Sequence, residues 1–338
     1  MKKQQLIPLL VSLLLGNPAT VTAMSRPVET PIAVSASAVR AEQLPPANIN
    51  LGTVTITPDI AYSTLSDYRP MLLDLYQPKG KGQHPLVIFV HGGSWTSGSK
   101  RTTGHFTNFS NVLARLAERG FVVASVDYRL SGEAPFPAAL QDIKAAVRFL
   151  RANAGKYGID PDHVGIWGAS AGAHLAAMTA FTAEDFDFDP PGIAHAEESD
   201  CVQAFVGWYG PYELRTLFRQ ASTPGNRVDP SGPMRFFGCT PKGCPPGVFA
   251  KASPISHVDA EDPPTLLIHG TNDTTVPAEQ SRQLAERLKA AGIISKLVLI
   301  DNVSHDWTGQ GHEATTAASR KAVNTTFDWL EKQLLKEK

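Results

Sequence analysis

The chain has 338 residues, of which 42% are hydrophobic and 19% charged, and its formal net charge is -1. That balance is ordinary for a globular domain, and the absence of any basic block gives no support to a nucleic-acid partner or an anionic membrane surface. At the start of the chain, Lys2 and Lys3 precede the apolar run 6–15, then Gly16, Pro18 and Val21-Thr22-Ala23. A positive start, an apolar middle and a small-residue end form the pattern of a secretory signal peptide, cut after Ala23. The run is short for a permanent span, so no stable membrane insertion is expected after removal; an uncleaved anchor is the alternative. Residues 24–50 are rich in Pro, Ala, Ser and Val without periodicity and read as a flexible linker, leaving 51–338 as one domain.

Residues 72–76 read as an early strand. Pro85-Leu86-Val87-Ile88-Phe89-Val90 is a strongly apolar strand ending in His91-Gly92-Gly93-Ser94-Trp95, where glycines let backbone amides approach a ligand oxygen. Segment 108–119 reads as a helix with Val112, Leu113, Leu116 and Ala117 on one face, and 121–126 as the next strand. Leu140, Ile143, Ala146, Val147 and Leu150 recur at helical spacing over 138–152. The apolar run 163–167 then leads into Gly168-Ala169-Ser170-Ala171-Gly172 and an Ala-rich helical stretch. Strand, G-x-S-x-G and helix together place Ser170 at a tight turn. Small neighbours permit a strained backbone there, and the positive end of the new helix points at the same spot.

After a strand at 202–208, the Pro- and Gly-rich segment 212–262 interrupts the alternation. It reads as a lid or pocket wall, in which Leu217, Phe218, Phe236 and Phe237 cover an acyl or aryl group, or else as an excursion packing its own aromatics. Cys239 and Cys244 flank a turn-forming stretch and are expected to close a small disulfide loop; zinc is the alternative, but no two further ligands lie near, and no metal site is expected. Cys201 reads as a buried free thiol. The alternating 185–189 segment, Asp-Phe-Asp-Phe-Asp, reads as a solvated loop rather than a calcium site. Segment 264–270 is a buried strand with Asp273 just beyond it, 278–291 a helix, 295–300 a strand followed by His305, and 317–335 the last helix. Apolar strands alternating with amphipathic helices imply a mainly parallel sheet covered on both faces, with ligands at the carboxyl ends of the strands.

Ser170, Asp273 and His305 are the residue types that nucleophilic catalysis needs. A serine hydroxyl requires a base, a histidine titrates near neutral pH, and an acid fixes the imidazole tautomer and stabilises the imidazolium. The oxyanion donors are assigned to the amides of Gly93, Ser94 and Ala171, with a one-residue shift to Trp95 left open. Trp95, Trp208, Tyr209 and Trp307 lie near motifs or strand ends; they are the candidates to contact substrate, and the alternative for any one of them is a place in the core. His174 and His269 are expected to be satisfied structural histidines.

The stretches LDLYQP (73–78), HGGSWTSGSK (91–100), VDYRL (126–130), GIWGASAGAHLA (165–176), HGTNDTTVP (269–277) and VSHDW (303–307) carry a resemblance. The chain resembles α/β-hydrolases of the bacterial carboxylesterase, lipase and feruloyl-esterase-like branch, close to the hormone-sensitive-lipase-like enzymes. The resemblance implies an α/β-hydrolase fold with an insertion after the sixth strand, a Ser170–His305–Asp273 triad, and cofactor-free hydrolysis of a small-molecule ester through an acyl-enzyme. One departure is Ser94, where a third glycine would be looser. A formamidase or arylformamidase is the rival within this branch, opposed by the leader; a peptidase would bring a large extra domain. A hydrolase fold that has lost catalysis and only binds is the rival of another class.

Overall fold

The continuous apolar runs become the buried strands of one sheet because both of its faces are covered. In the computed structural model, residues 49–50, 52–80, 82–189, 193–221, 225, 231–240 and 243–335 are described. The strands are β1 (Ile49–Asn50), β2 (Val54–Ser63), β3 (Met71–Pro78), β4 (His84–Val90), β5 (Val122–Val126), β6 (Ile159–Ala169), β7 (Ala204–Trp208), β8 (Thr265–Gly270) and β9 (Ser295–Ile300). They lie in the order β1-β2-β3-β5-β4-β6-β7-β8-β9. The first three pairings, as far as β3–β5, are antiparallel, and every pairing from β5 to β9 is parallel.

The helices are α1 (Phe109–Glu118), α2 (Ala138–Ala152), α3 (Ala154–Tyr157), α4 (Ala171–Phe181), α5 (Leu214–Ala221), α6 (Ser231–Phe237), α7 (Val248–Lys251), α8 (Glu279–Ala290) and α9 (His312–Leu334). Period-two alternation divides the strand residues between two cores. Leu86, Ile88, Val164, Ile166 and Leu267 pack with Leu140, Ile143 and Val147 of α2, Leu175 and Met178 of α4, and Leu284 and Leu288 of α8. Val87, Phe89, Trp167, Val206, Leu266 and Ile268 pack on the other face with Phe109, Leu113 and Leu116 of α1 and Phe327 and Leu330 of α9. Helix α4 is buried at all of its positions, which explains its lack of a polar face.

Several expectations change. Ile49 and Asn50 pair with β2, so the linker reading, which ran to residue 50, overreaches; the expected signal peptide 1–23 and residues 24–48 lie outside the described residues. Strand β2 was not foreseen, because a register shift between Thr57 and Ile60, with Asp59 at φ 57°, breaks its alternation. Helix α9 begins at His312 rather than 317, since its first turns are exposed and lack the apolar stripe that marks a helix in sequence. Counting the two-residue β1, the 212–262 segment follows the seventh strand. Cys201 is a free thiol but half-buried and outside β7. In the 185–189 stretch, Phe188 is buried and Asp189 takes both terminal nitrogens of Arg148 at 2.9 Å, so this loop is pinned rather than freely solvated.

Candidate active site

The carboxyl ends of β4, β6, β7, β8 and β9 carry, in turn, His91-Gly92-Gly93, Ser170, Tyr209, Asp273 and His305. Ser170 sits between β6 and α4 with φ 55° and ψ -122°, a conformation L-residues rarely adopt. Its amide donates to the Trp208 carbonyl (2.9 Å), and its carbonyl accepts from the His174 amide (3.1 Å). These bonds hold the strained turn. A Cβ on Gly168 would meet the Gly172 carbonyl at 2.2 Å, so this approach of strand and helix demands glycine. The amide of Ala171, first in α4, belongs to the turn that has no intrahelical acceptor.

His305 Nε2 lies 3.0 Å from Ser170 Oγ, and His305 Nδ1 lies 2.6 Å from Asp273 Oδ2. Asp273 Oδ1 accepts from the amides of Thr275 (2.9 Å) and Val276 (2.8 Å). Burial pushes the Asp273 carboxyl up, but hydrogen bonds and charge from His269 and His305 outweigh it and hold the group well below the usual carboxylate range. Burial likewise favours neutral His305, yet the hydrogen bond and charge of Asp273, aided by Asp306, raise its pKa above the ordinary imidazole value. Nδ1 must carry hydrogen to donate to the carboxylate, which leaves Nε2 free to accept from the serine hydroxyl.

The loop after β4 turns through three successive residues at positive φ: Gly93 (113°), Ser94 (52°) and Trp95 (59°). The Gly93 carbonyl accepts from the amides of Thr96 (2.9 Å) and Ser97 (3.1 Å), turning the peptide plane so that amides face the opposite way. Among the described residues, none accepts a hydrogen bond from the amides of Gly93 or Ser94. Ser94 occupies the left-handed region where a third glycine would be unstrained. The loop is anchored at its far end: the Lys100 amide and Nζ bind the two Asp127 oxygens at 2.7 and 3.1 Å, and Nζ also lies 2.9 Å from Asp59. Tyr128 Oη donates to the His91 carbonyl at 3.0 Å, and its ring stacks on the imidazole of His91.

A cavity of about 570 Å³ opens over Ser170, lined by Gly93, Ser94, Thr102, Thr103, His105, Tyr209, Thr275, His305, Asp306 and others. Of the four aromatic candidates to meet substrate, Tyr209 alone lines it. Its ring centroid is 4.6 Å from that of His305. The other three are core residues. Trp95 stacks on Phe236 (4.8 Å) and donates to His174 Nδ1; Trp208 donates to Thr326 Oγ1 (2.9 Å); Trp307 packs on Trp208 and Tyr209. Adjacency to a motif in sequence does not say which way a side chain turns, and these three turn inward.

No described residue of 212–262 lines this cavity. Leu217, Phe236 and Phe237 are buried in the core instead, so the pocket-wall reading gives way to a packed excursion; the side chain of Phe218 lies outside the described residues. Within that excursion Cys239 and Cys244 form a disulfide. His174 is fully buried, its Nε2 donating to the Ala252 carbonyl at 2.7 Å, as a structural histidine would. Asp306, which lines the cavity with its backbone at φ 56°, was not singled out from sequence; its place directly after His305 was the available signal.

A largely parallel sheet, covered on both faces, that presents serine, acid and histidine on successive carboxyl-end loops defines an α/β-hydrolase. The chain belongs to the BD-FAE family, which matches residues 73–288. It is 36% identical over 221 residues to esterase LipC of Mycobacterium tuberculosis, an alignment covering 65% of this chain and 52% of LipC. It is 33% identical over 279 residues to esterase LipQ of the same organism, covering 81% of this chain and 62% of LipQ. The chain thus spans between half and two thirds of the length of these two relatives. A solved truncated carbohydrate esterase from gut microbiota superposes with a TM-score of 0.70 at 26% identity, covering 86% of this chain and all of that one.

Proposed function

We propose that this chain is a serine carboxylesterase that works through an acyl-enzyme. The observation that carries the reading is the unbroken hydrogen-bonded line Asp273–His305–Ser170, at 2.6 and 3.0 Å, ending in a cavity lined by Gly93 and Ser94, whose amides have no acceptor among the described residues. In this reading His305 takes the Ser170 proton as Oγ attacks the ester carbonyl, and Asp273 holds the imidazole and stabilises its charged form. The amides of Gly93, Ser94 and Ala171 receive the oxyanion, each contributing on the order of 10²- to 10³-fold to turnover. His305 then protonates the leaving alcohol, and water repeats the cycle on the acyl group.

The hydroxyls and carboxylate around the cavity, with the tryptophans withdrawn into the core, favour a short acyl group over a long alkyl chain. Purified protein should hydrolyse p-nitrophenyl acetate faster than p-nitrophenyl decanoate. Ser170→Ala should lose about 10⁶-fold in kcat. Hydrolysis that survives this substitution would overturn the reading. N-formylkynurenine in the same assay distinguishes an amide hydrolase, and hydrolysis of no substrate a binding protein.

The chain is also proposed to act outside the cytoplasm. The leader pattern of residues 1–23 supports this, as does the Cys239–Cys244 disulfide, a bond that persists in oxidising compartments. Expression of the full chain in a bacterial host should yield periplasmic protein whose mass corresponds to a start at Met24. Retention of the intact leader in the cytoplasm would refute the proposal.

A further inference from the structure

Asp273 does not end the line of hydrogen bonds that begins at Ser170. His269, the penultimate residue of β8, places Nε2 at 3.2 Å from Asp273 Oδ2, the oxygen that also meets His305. The same nitrogen lies 2.8 Å from the Val276 carbonyl. Both neighbours accept hydrogen bonds while the carboxyl is ionised, so Nε2 of His269 carries the hydrogen. Its Nδ1 faces Ser281 Oγ on α8 at 2.7 Å and takes that hydroxyl's hydrogen. One carboxylate therefore lies between two serine–histidine pairs. Ser170 and His305 face the cavity, whereas Ser281 and His269 are fully buried and do not line it.

We propose that His269, oriented by Ser281, is a positioning residue for the reaction at Ser170. It holds Asp273 Oδ2 in place and draws off part of its charge, so that His305 can both take and return a proton. The inference rests on the reading of Ser170, His305 and Asp273 given above. The backbone amides of Thr275 and Val276 occupy Oδ1. Without His269, Oδ2 would answer to His305 alone, and its undivided charge would hold the imidazolium more tightly. Among the described residues, the charged groups acting on His305 are Asp273 and Asp306, and the one within ion-pair distance of His269 is Asp273. Loss of the His269 donor thus weakens proton return and moves the protonation of His305 to higher pH.

The test compares pH profiles of p-nitrophenyl acetate hydrolysis for the full-length wild type, His269→Leu, His269→Gln and Ser281→Ala. Active sites are counted by organophosphonate titration. His269→Leu should lower kcat per titrated site on the order of 10- to 100-fold, the scale of a displaced catalytic group. KM should stay nearly constant, and the acid limb of kcat/KM should move to higher pH. His269→Gln restores an N–H toward Asp273 and should recover most of kcat and the original limb. Ser281→Ala should move both in the direction of His269→Leu, but less, and it carries the test should His269→Leu not fold. An unmoved limb and wild-type kcat in His269→Leu, or in Ser281→Ala if that variant must stand alone, would overturn the inference while leaving Ser170 as nucleophile. Wild-type hydrolysis that is independent of Ser170 would overturn the underlying reading, and the inference with it.

Discussion

Ser170 owes its position to a backbone that few residues tolerate. Its φ of 55° is held by the Trp208 carbonyl on one side and the first turn of α4 on the other, so the hydroxyl stands free at the cavity floor. His305 reaches it with Nε2 because Asp273 claims Nδ1. The raised pKa of His305 has a readable consequence. A base must be deprotonated to act, so activity rises as pH rises through that value. The acid limb of kcat/KM should lie above the ordinary imidazole value of 6.5 in the wild type. Asp273→Asn should lower kcat on the order of 10⁴-fold by losing the tautomer and the stabilising charge. A limb below 6.5 in the wild type would contradict the electrostatic account of the pair.

Among the elements, the loop 91–100 is the one whose geometry depends most on distant support. Three residues at positive φ place its amides, and Lys100, only 7% exposed at its side chain, ties it to Asp127 beyond β5. Replacing Asp127 by Ala removes one of three carboxylates around that ammonium, leaving Asp59 at 2.9 Å and buried Asp74 at 3.9 Å, and strips the Lys100 amide of its acceptor. The expected cost is about 2 kcal/mol, together with a fall in kcat as the amides lose their register. Urea unfolding and initial rates on the same variant check both effects, and loss of stability without loss of kcat would show that the loop is held elsewhere.

This anchoring also marks where sequence reading stops. HGGSWTSGSK and VDYRL stood out as motifs, but nothing in either showed that Lys100 and Asp127 pair. The strand–Ser170–helix unit was legible because its own small residues enforce it. Strand β2 was not, since a bulge at Asp59 hides its alternation. The tryptophans misled because Trp95, Trp208 and Trp307 are fixed by packing partners far along the chain, namely Phe236, Thr326 and Tyr209.

On the scale of the whole molecule, two buried histidines set an acid limit that composition alone does not reveal. His91 and His174 are each pushed down to about 4, chiefly by burial, which penalises the charged ring. Their folded pKa values lie below the unfolded value of 6.5, so the unfolded chain binds more protons between those limits. Stability from this source is complete above pH 6.5 and is lost as pH falls toward 4. His305 acts oppositely: its raised pKa contributes stability below 6.5 that fades as pH rises through the folded value. Below 6.5 His305 has no further effect, but Asp262, pushed up to about 7 by burial, and Asp142, also raised by burial, gain stability as pH falls and oppose the rings. The share of the rings is therefore read against His174→Asn, whose melting temperature should fall less between pH 6.5 and 4 than that of the wild type; an equal or larger fall in the variant would show that ring to be solvated or charged in the folded state.

The proposed activity requires that one hydroxyl, Ser170 Oγ, be far more nucleophilic than any other serine in the chain. Intact-mass analysis after treatment with a fluorophosphonate, followed by peptide mapping, measures that directly. A single adduct per chain is expected, on the peptide containing Ser170, and none in Ser170→Ala. No adduct in the folded wild type, or a stoichiometric adduct on another residue, would contradict it.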